Sequence, residues 1–182
     1  FRHNFLMKIL NFLFLFFFCI YSNNSYAEIF YIDIDMIINQ TNVGKHINKE
    51  FENAKKINNA KNLETKNKLV KREEKLITQK NILDENEFNN KLNLFRKDVN
   101  DFNQLNQRTN KDLQNKLLNN KSNFLKLIEP ILLEYVAENN ITYLLQKKYI
   151  IVGHNDFNKT LDIIKLVDKK INITDFNDSI SK

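Results

Sequence analysis

The chain has 182 residues and a formal charge of +6, but only two glycines, Gly44 and Gly153, and one proline, Pro130. The 85 residues from Lys45 to Glu129 contain neither. Glycine and proline punctuate turns and short strands, so their scarcity argues against an all-β sandwich, a doubly wound nucleotide-binding fold or a repeat array, and it leaves long helices.

Six residues precede Met7, the expected translation start. Lys8 then supplies a basic n-region, Ile9 to Tyr21 an apolar core, and Ser25-Tyr26-Ala27 a small-x-small cleavage site. Residues 1–27 therefore read as upstream residues plus a secretory signal cleaved after Ala27. The apolar core has 13 residues including Asn11, short of the roughly 18 that a membrane anchor requires. Cys19 is the single cysteine and lies inside this core. The exported chain is thus expected to carry no disulfide and to depend on its core or on oligomerisation for stability.

Glu28 to Ile34 reads as a strand, with Phe30, Ile32 and Ile34 alternating with Ile29, Tyr31 and Asp33. A turn is expected from Asp35 to Asn42, with Gly44 as the last break before a helix opening near Lys45. In that helix Leu63, Val70 and Ile77 lie seven apart, and Leu69, Leu76 and Leu83 form a second line of the same period. Lys66, Glu73 and Lys80 leave the seam narrow. Asp84-Glu85-Asn86-Glu87 has the spacing of a capping box, which places a hairpin tip at 82–87.

Beyond the tip, Phe88, Leu92, Phe95, Val99 and Phe102 step by four and three, and the stripe continues through Asn106, Thr109 and Leu113 before shifting to Leu117, Phe124, Leu127 and Ile131. At 1.5 Å per residue the two helical runs span about 55 and about 68 Å, too long to be enclosed by so small a body. They must project from it as an arm, 45–129. Pro130 is expected to kink the second helix and Asn139-Asn140 to end it. Ile141–Leu145 and Tyr149–Val152 read as strands that join the first in a sheet of three. A last helix is expected from Thr160 to Ile171, followed by a frayed polar tail, 172–182. The fold class is α+β: a long antiparallel helical hairpin on a small β body built from 28–44 and 130–171.

Charge follows the same division. The arm carries 19 basic and 12 acidic side chains, Glu28–Gly44 is −3, and Pro130–Lys182 is balanced. A basic helical surface suits nucleic acid, anionic lipid or an acidic partner, and export removes the case for nucleic acid. The 31 asparagines have no chemical role in this reading. The 19 within the arm cost about 10 kcal/mol of helix propensity against alanine, so packing must hold those helices.

Catalysis finds no support. Gly44-Lys45 suggests a phosphate loop, but Asn39 and His46 stand where that motif needs glycine and Ser or Thr. His46 and His154 are far apart, with no cysteine to complete a zinc site. Asp33 and Asp35 share a spacing that suits paired carboxylates, yet a turn and capping role fits better. No cofactor or metal is expected.

The order of Tyr31-Ile32-Asp33, Val43-Gly44-Lys45 opening a long charged helix, Pro130-Ile131-Leu132, Ile141–Leu145 followed by Tyr149–Val152, and Leu161-Asp162-Ile163-Ile164-Lys165 resembles the Skp/OmpH family of periplasmic chaperones. The resemblance implies a periplasmic homotrimer whose strands form a central barrel, with Phe30, Ile32, Ile34, Ile141, Tyr143, Leu145, Ile150 and Val152 at the subunit interface. It implies unfolded outer-membrane proteins as clients, held without ATP between helical arms. Phe88, Leu92, Phe95, Val99 and Phe102 are the expected client contacts, and an anionic lipid surface is a further expected partner of the basic arm. The alternative is an exported coiled-coil scaffold or tether with no client.

Overall fold

The computed structural model describes residues 27–181, so the start, signal and Cys19 readings lie outside the described residues. The first strand, β1 (Ile29–Ile32), is stopped by Asp33, whose carboxylate accepts from the Met36 N–H at 3.0 Å and caps a short helix, α1 (Ile34–Gln40). The expected strand to Ile34 and turn over Asp35–Asn42 are therefore corrected. The cap, and the i, i+3, i+4 spacing of Ile34, Ile37 and Ile38, favour helix over alternation, and Ile37 and Ile38 become buried.

Thr41 joins α1 to the first arm helix, α2 (Asn42–Gln79). Its buried hydroxyl donates to the Ile37 carbonyl at 2.8 Å and accepts from the Gly44 N–H at 3.3 Å. The helix thus opens at Asn42 and not near Lys45, with Gly44 inside its first turn. Gly44 is no break: a Cβ there would lie 1.6 Å from the Ile38 carbonyl oxygen, so glycine is what lets α1 and α2 approach.

A five-residue connection, Lys80–Asp84, leads to the second arm helix, α3 (Glu85–Glu138). Asp84 caps it by accepting from the Glu87 N–H at 2.9 Å, while Glu87 pairs with Lys91 at 2.9 Å. The helix runs on through Pro130. It ends at Asn139, with Asn140 in the left-handed region (φ 53°) and the Ile141 N–H returning to the Val136 carbonyl at 3.0 Å, a Schellman closure. With 38 and 54 residues, the helices span about 57 and about 81 Å.

The second strand, β2 (Tyr143–Gln146), lies parallel to β1, with Ile29 opposite Tyr143 and Ile32 opposite Gln146. A parallel pair needs a long crossover, and the whole arm provides it. The expected sheet of three is corrected to two strands. Lys147–Tyr149 tightens into a 3₁₀ turn closed by the Ile150 N–H on the Lys147 carbonyl at 2.9 Å, with the Lys147 ammonium 3.3 Å from Asp33. Ile151 and Val152 do not pair and stand 100% and 90% exposed. The other edge of β1 is met instead by Asn158, and Tyr31 accepts from the Lys159 N–H at 2.9 Å.

The next helix, α4 (Thr160–Lys170), lies where the sequence places it. Thr160 does not cap it. Its buried hydroxyl accepts from the Asp33 N–H at 2.8 Å and ties α4 to the end of β1. The tail is not frayed: Ile173–Ile180 forms a further helix, α5, with a reciprocal capping box between Asn172 and Asp175 at 2.9 Å in each direction. Phe176 anchors it, 1% exposed and edge-on to Phe124 with ring centroids 6.3 Å apart. Ile32, Ile37, Val43, Ile47, Ile128, Ile163 and Val167 complete one core with these rings.

Gly44→Ala should lower stability by at least about 2 kcal/mol, because the methyl group meets backbone that cannot rotate away; urea unfolding followed by circular dichroism reads the loss. The Asp33 carboxyl is held below its ordinary range chiefly by the Met36 N–H; burial opposes this, and the Lys147 ammonium adds to the lowering. A depressed carboxylate stabilises the fold above its unfolded pKa and loses that contribution as pH falls through its folded pKa. Asp33→Ala should therefore cost about 1 kcal/mol near pH 7, and the gap to wild type should narrow below the usual carboxylate range in a pH series of unfolding midpoints.

Candidate functional site: the two faces of the arm

Which side chains the arm presents depends on which stripe each helix turns inward. On α3 the half-buried positions include Phe88, Leu92, Phe95, Val99, Phe102, Asn106, Thr109 and Leu113, the stripe read from the sequence, with Lys91 and Asp98 beside it. On α2 they include Phe51, Ala54, Asn58, Asn62, Thr65, Leu69 and Leu76. Of the two seven-residue lines, only the one through Leu69 and Leu76 turns inward in α2, and its last member, Leu83, falls in the tip connection. Leu63, Val70 and Ile77 remain 60%, 42% and 67% exposed. Adjacent residues are about 100° apart on a helix, so the two lines are equivalent until a partner helix chooses between them.

That choice creates two different grooves along the seam. On one side Leu63 and Val70 stand beside Phe95, Val99 and Phe102 over a trough of about 640 Å³, with Lys66, Glu73 and Asn103 among its borders. The other side, about 600 Å³, is lined by Lys61, Lys68 and Arg72 from α2 and by Asp98 and Asp101 from α3, with Leu105 among them. Arg72 and Asp98 pair across the hairpin, and Lys68 pairs with Glu64 of its own helix, whose carboxyl is lowered by that contact. The first groove has two charged side chains in its lining and the second five, but each mixes apolar and polar residues: Asn59, Asn62, Asn103, Asn106 and Asn110 also line the first, and Leu69, Phe102 and Leu105 the second.

Midway along the arm the seam is polar. The Asn62 amide donates to Asn106 at 2.7 Å, Asn58 to Asn110 at 3.1 Å, and Asn110 to Asn106 at 3.0 Å. Four asparagines that the sequence reading left without a role thus form one connected layer between the helices.

In the body, the residues expected at a subunit interface fall into three groups. Ile32 and Ile141 are buried within this chain, and Ile34 packs against the same core. Phe30 is half-buried beside Phe157, with the Lys159 ammonium 4.8 Å from its ring centre, and Ile150 is also half-buried. Tyr143, Leu145 and Val152 are exposed. Ile29, Tyr149 and Ile151 join them as exposed apolar side chains that the expected set did not include. Exposed β-branched and aromatic residues in a segment read as a strand were the available signal for them.

The candidate chemical residues are structural or solvent-facing. Asp33 caps α1, and His154 pairs with Asp156 at 3.0 Å with both side chains well exposed. Among the described residues no group of three or more His, Cys, Asp or Glu could hold a metal ion, and no helix is long and apolar enough to cross a membrane.

The fold is similar to that of a crystal structure from Caulobacter crescentus CB15, described as an OmpH-like outer membrane chaperone, with a TM-score of 0.66 and 12% identity, covering 82% of this chain and 88% of that one. Among curated proteins none matches the chain. The family described as "Outer membrane protein (OmpH-like)" matches residues 28–171, from the start of β1 to the end of α4, leaving α5 and the two ends of the chain outside. By that match over most of its length, the chain belongs to the OmpH-like family.

Proposed function

We propose that this protein is a periplasmic holdase chaperone that shields unfolded outer-membrane proteins from aggregation, without ATP, between the arms of a homotrimer. The observation that carries the reading is the apolar trough along the arm, where Leu63 and Val70 stand uncovered beside Phe95, Val99 and Phe102. Phe88 and Leu92, both half-buried, continue the same stripe of α3 toward the tip. Contacts of this kind are individually weak and tolerant of sequence, which suits clients whose common property is exposed apolar chain. The more charged groove and the arm's net basic charge suit acidic clients or an anionic lipid surface.

The trimer reading is supported by the body. Tyr143, Leu145, Tyr149, Ile151 and Val152 form an exposed apolar surface next to β2, whose outer edge has no strand neighbour among the described residues. Open edges and exposed apolar side chains are liabilities that assembly removes. Family membership and the chaperone description of the Caulobacter structure support the chaperone part of the reading.

Stoichiometric protein should suppress light scattering when a urea-unfolded β-barrel membrane protein is diluted into buffer, and added salt should weaken capture by the share that charge contributes. Leu63→Asp with Val70→Asp should lose most of the suppression while leaving the circular dichroism spectrum unchanged, since both side chains are exposed. Equal suppression by this variant would move the binding surface off the apolar trough. Ile151→Asp with Val152→Asp should reduce the mass measured by light scattering from three chains to one. A scaffold or tether would show no suppression in the first assay and an extended or dimeric species in the second.

A further inference from the structure

The arm is held unevenly along its length. At its root Ile47, Phe124 and Ile128 are fully enclosed, and α5 lies against both arm helices there through Phe176. From Asn48 to Asn123, by contrast, no side chain is buried. The half-buried leucines and phenylalanines of that stretch recover only part of the stabilisation that full burial gives each. Arg72–Asp98 is the one ion pair across the hairpin among the described residues, and both partners are about half exposed.

Between root and tip sits the asparagine layer of Asn58, Asn62, Asn106 and Asn110. In coiled coils a buried polar layer sets register at a cost in stability. Here the five-residue tip connection already sets the register, and the layer is open to water, with Asn58, Asn62 and Asn106 half-buried and Asn110 exposed, so it adds no apolar packing at that point of the seam. Amide pairs exchange their hydrogen bonds for water with little net loss. The layer therefore separates the enclosed root from the distal seam, and parting of the distal helices need not disturb the core.

We propose that the hairpin distal to this layer opens as a unit, its two helices parting so that Leu69, Phe95, Val99 and Phe102 exchange each other's contact for that of an unfolded client segment. The proposal deepens the holdase reading and rests on it: the seam is a binding surface that covers itself when no client is present. Holding strength is then reduced by the cost of opening, and any change that locks the hairpin weakens capture.

Two measurements test this. Hydrogen exchange on the purified protein should show the amides of 66–105 exchanging together and faster than those around Ile47 and Phe124; uniform exchange along the arm overturns the opening unit regardless of what the protein binds. The second uses Arg72→Cys with Asp98→Cys in a Cys19→Ser chain, joined by a short reducible bismaleimide. Both side chains are exposed, and reductant returns the same molecule to the open-competent form, so folding is controlled internally. The cross-linked form should hold the urea-unfolded β-barrel protein at least about tenfold more weakly, with reductant restoring it. Equal holding before and after reduction overturns the proposal. Absence of holding in the wild type as well as in the reduced variant overturns the holdase reading itself, and with it the seam's role toward clients, while the exchange profile still decides whether the hairpin opens.

Discussion

The side chains at the base of the arm set what the rest of the molecule can do. Ile47 of α2 and Phe124 and Ile128 of α3 are enclosed by residues from α1, α4 and α5, and nothing further out along the arm is enclosed at all. Two helices of about 57 and about 81 Å are therefore cantilevered from a single packed junction. Close approach is the condition for that junction. Gly44 lets α1 reach α2, Thr41 satisfies the backbone on both sides of the joint, and the Thr160 hydroxyl draws α4 onto the end of β1. Loss of any of these would loosen the support of the whole arm as well as the local contact.

Much of this was legible from residues alone where the determinant is local. The α3 stripe from Phe88 to Leu113, the Asp84 cap and the Asn139-Asn140 ending depend on spacing and on side chains adjacent to the backbone groups they satisfy. Family order was legible for the same reason. Features set by a distant partner were not. Gly44 resembles a break until Ile38 is placed against it, and Asp33 ends a strand and caps α1 in a segment whose alternation favoured continuing the strand. The α5 helix was missed because its capping box uses Asn172 and Asp175 in place of the more familiar serine or threonine with glutamate, and because one phenylalanine, Phe176, carries its attachment.

The candidate site shows the same limit more sharply. Sequence period identified the inner stripe of α3, and its phenylalanines do line the apolar trough. In α2 two lines of equal period compete, and only contact with α3 decides that Leu69 turns in while Leu63 and Val70 stay out. The difference in charge between the arm's two grooves is thus a property of the pair of helices. Neither helix taken alone contains it. The asparagine layer is similar: each residue reads as a poor helix former, and its structural role appears only when Asn58 and Asn62 meet Asn110 and Asn106.

The parallel pairing of β1 with β2 has a further consequence for how the molecule comes into being. Ile29 faces Tyr143, with the entire arm between them in the chain, and the core that supports the arm draws on α4 and α5 from the last quarter of the sequence. The helices can form as they emerge, but their support cannot close until α5 is available, since Phe176 belongs to it. Such non-local closure is slow relative to helix formation. For part of its own synthesis, then, the chain carries a long unsupported hairpin with an uncovered apolar trough, the same kind of surface it would hold in others.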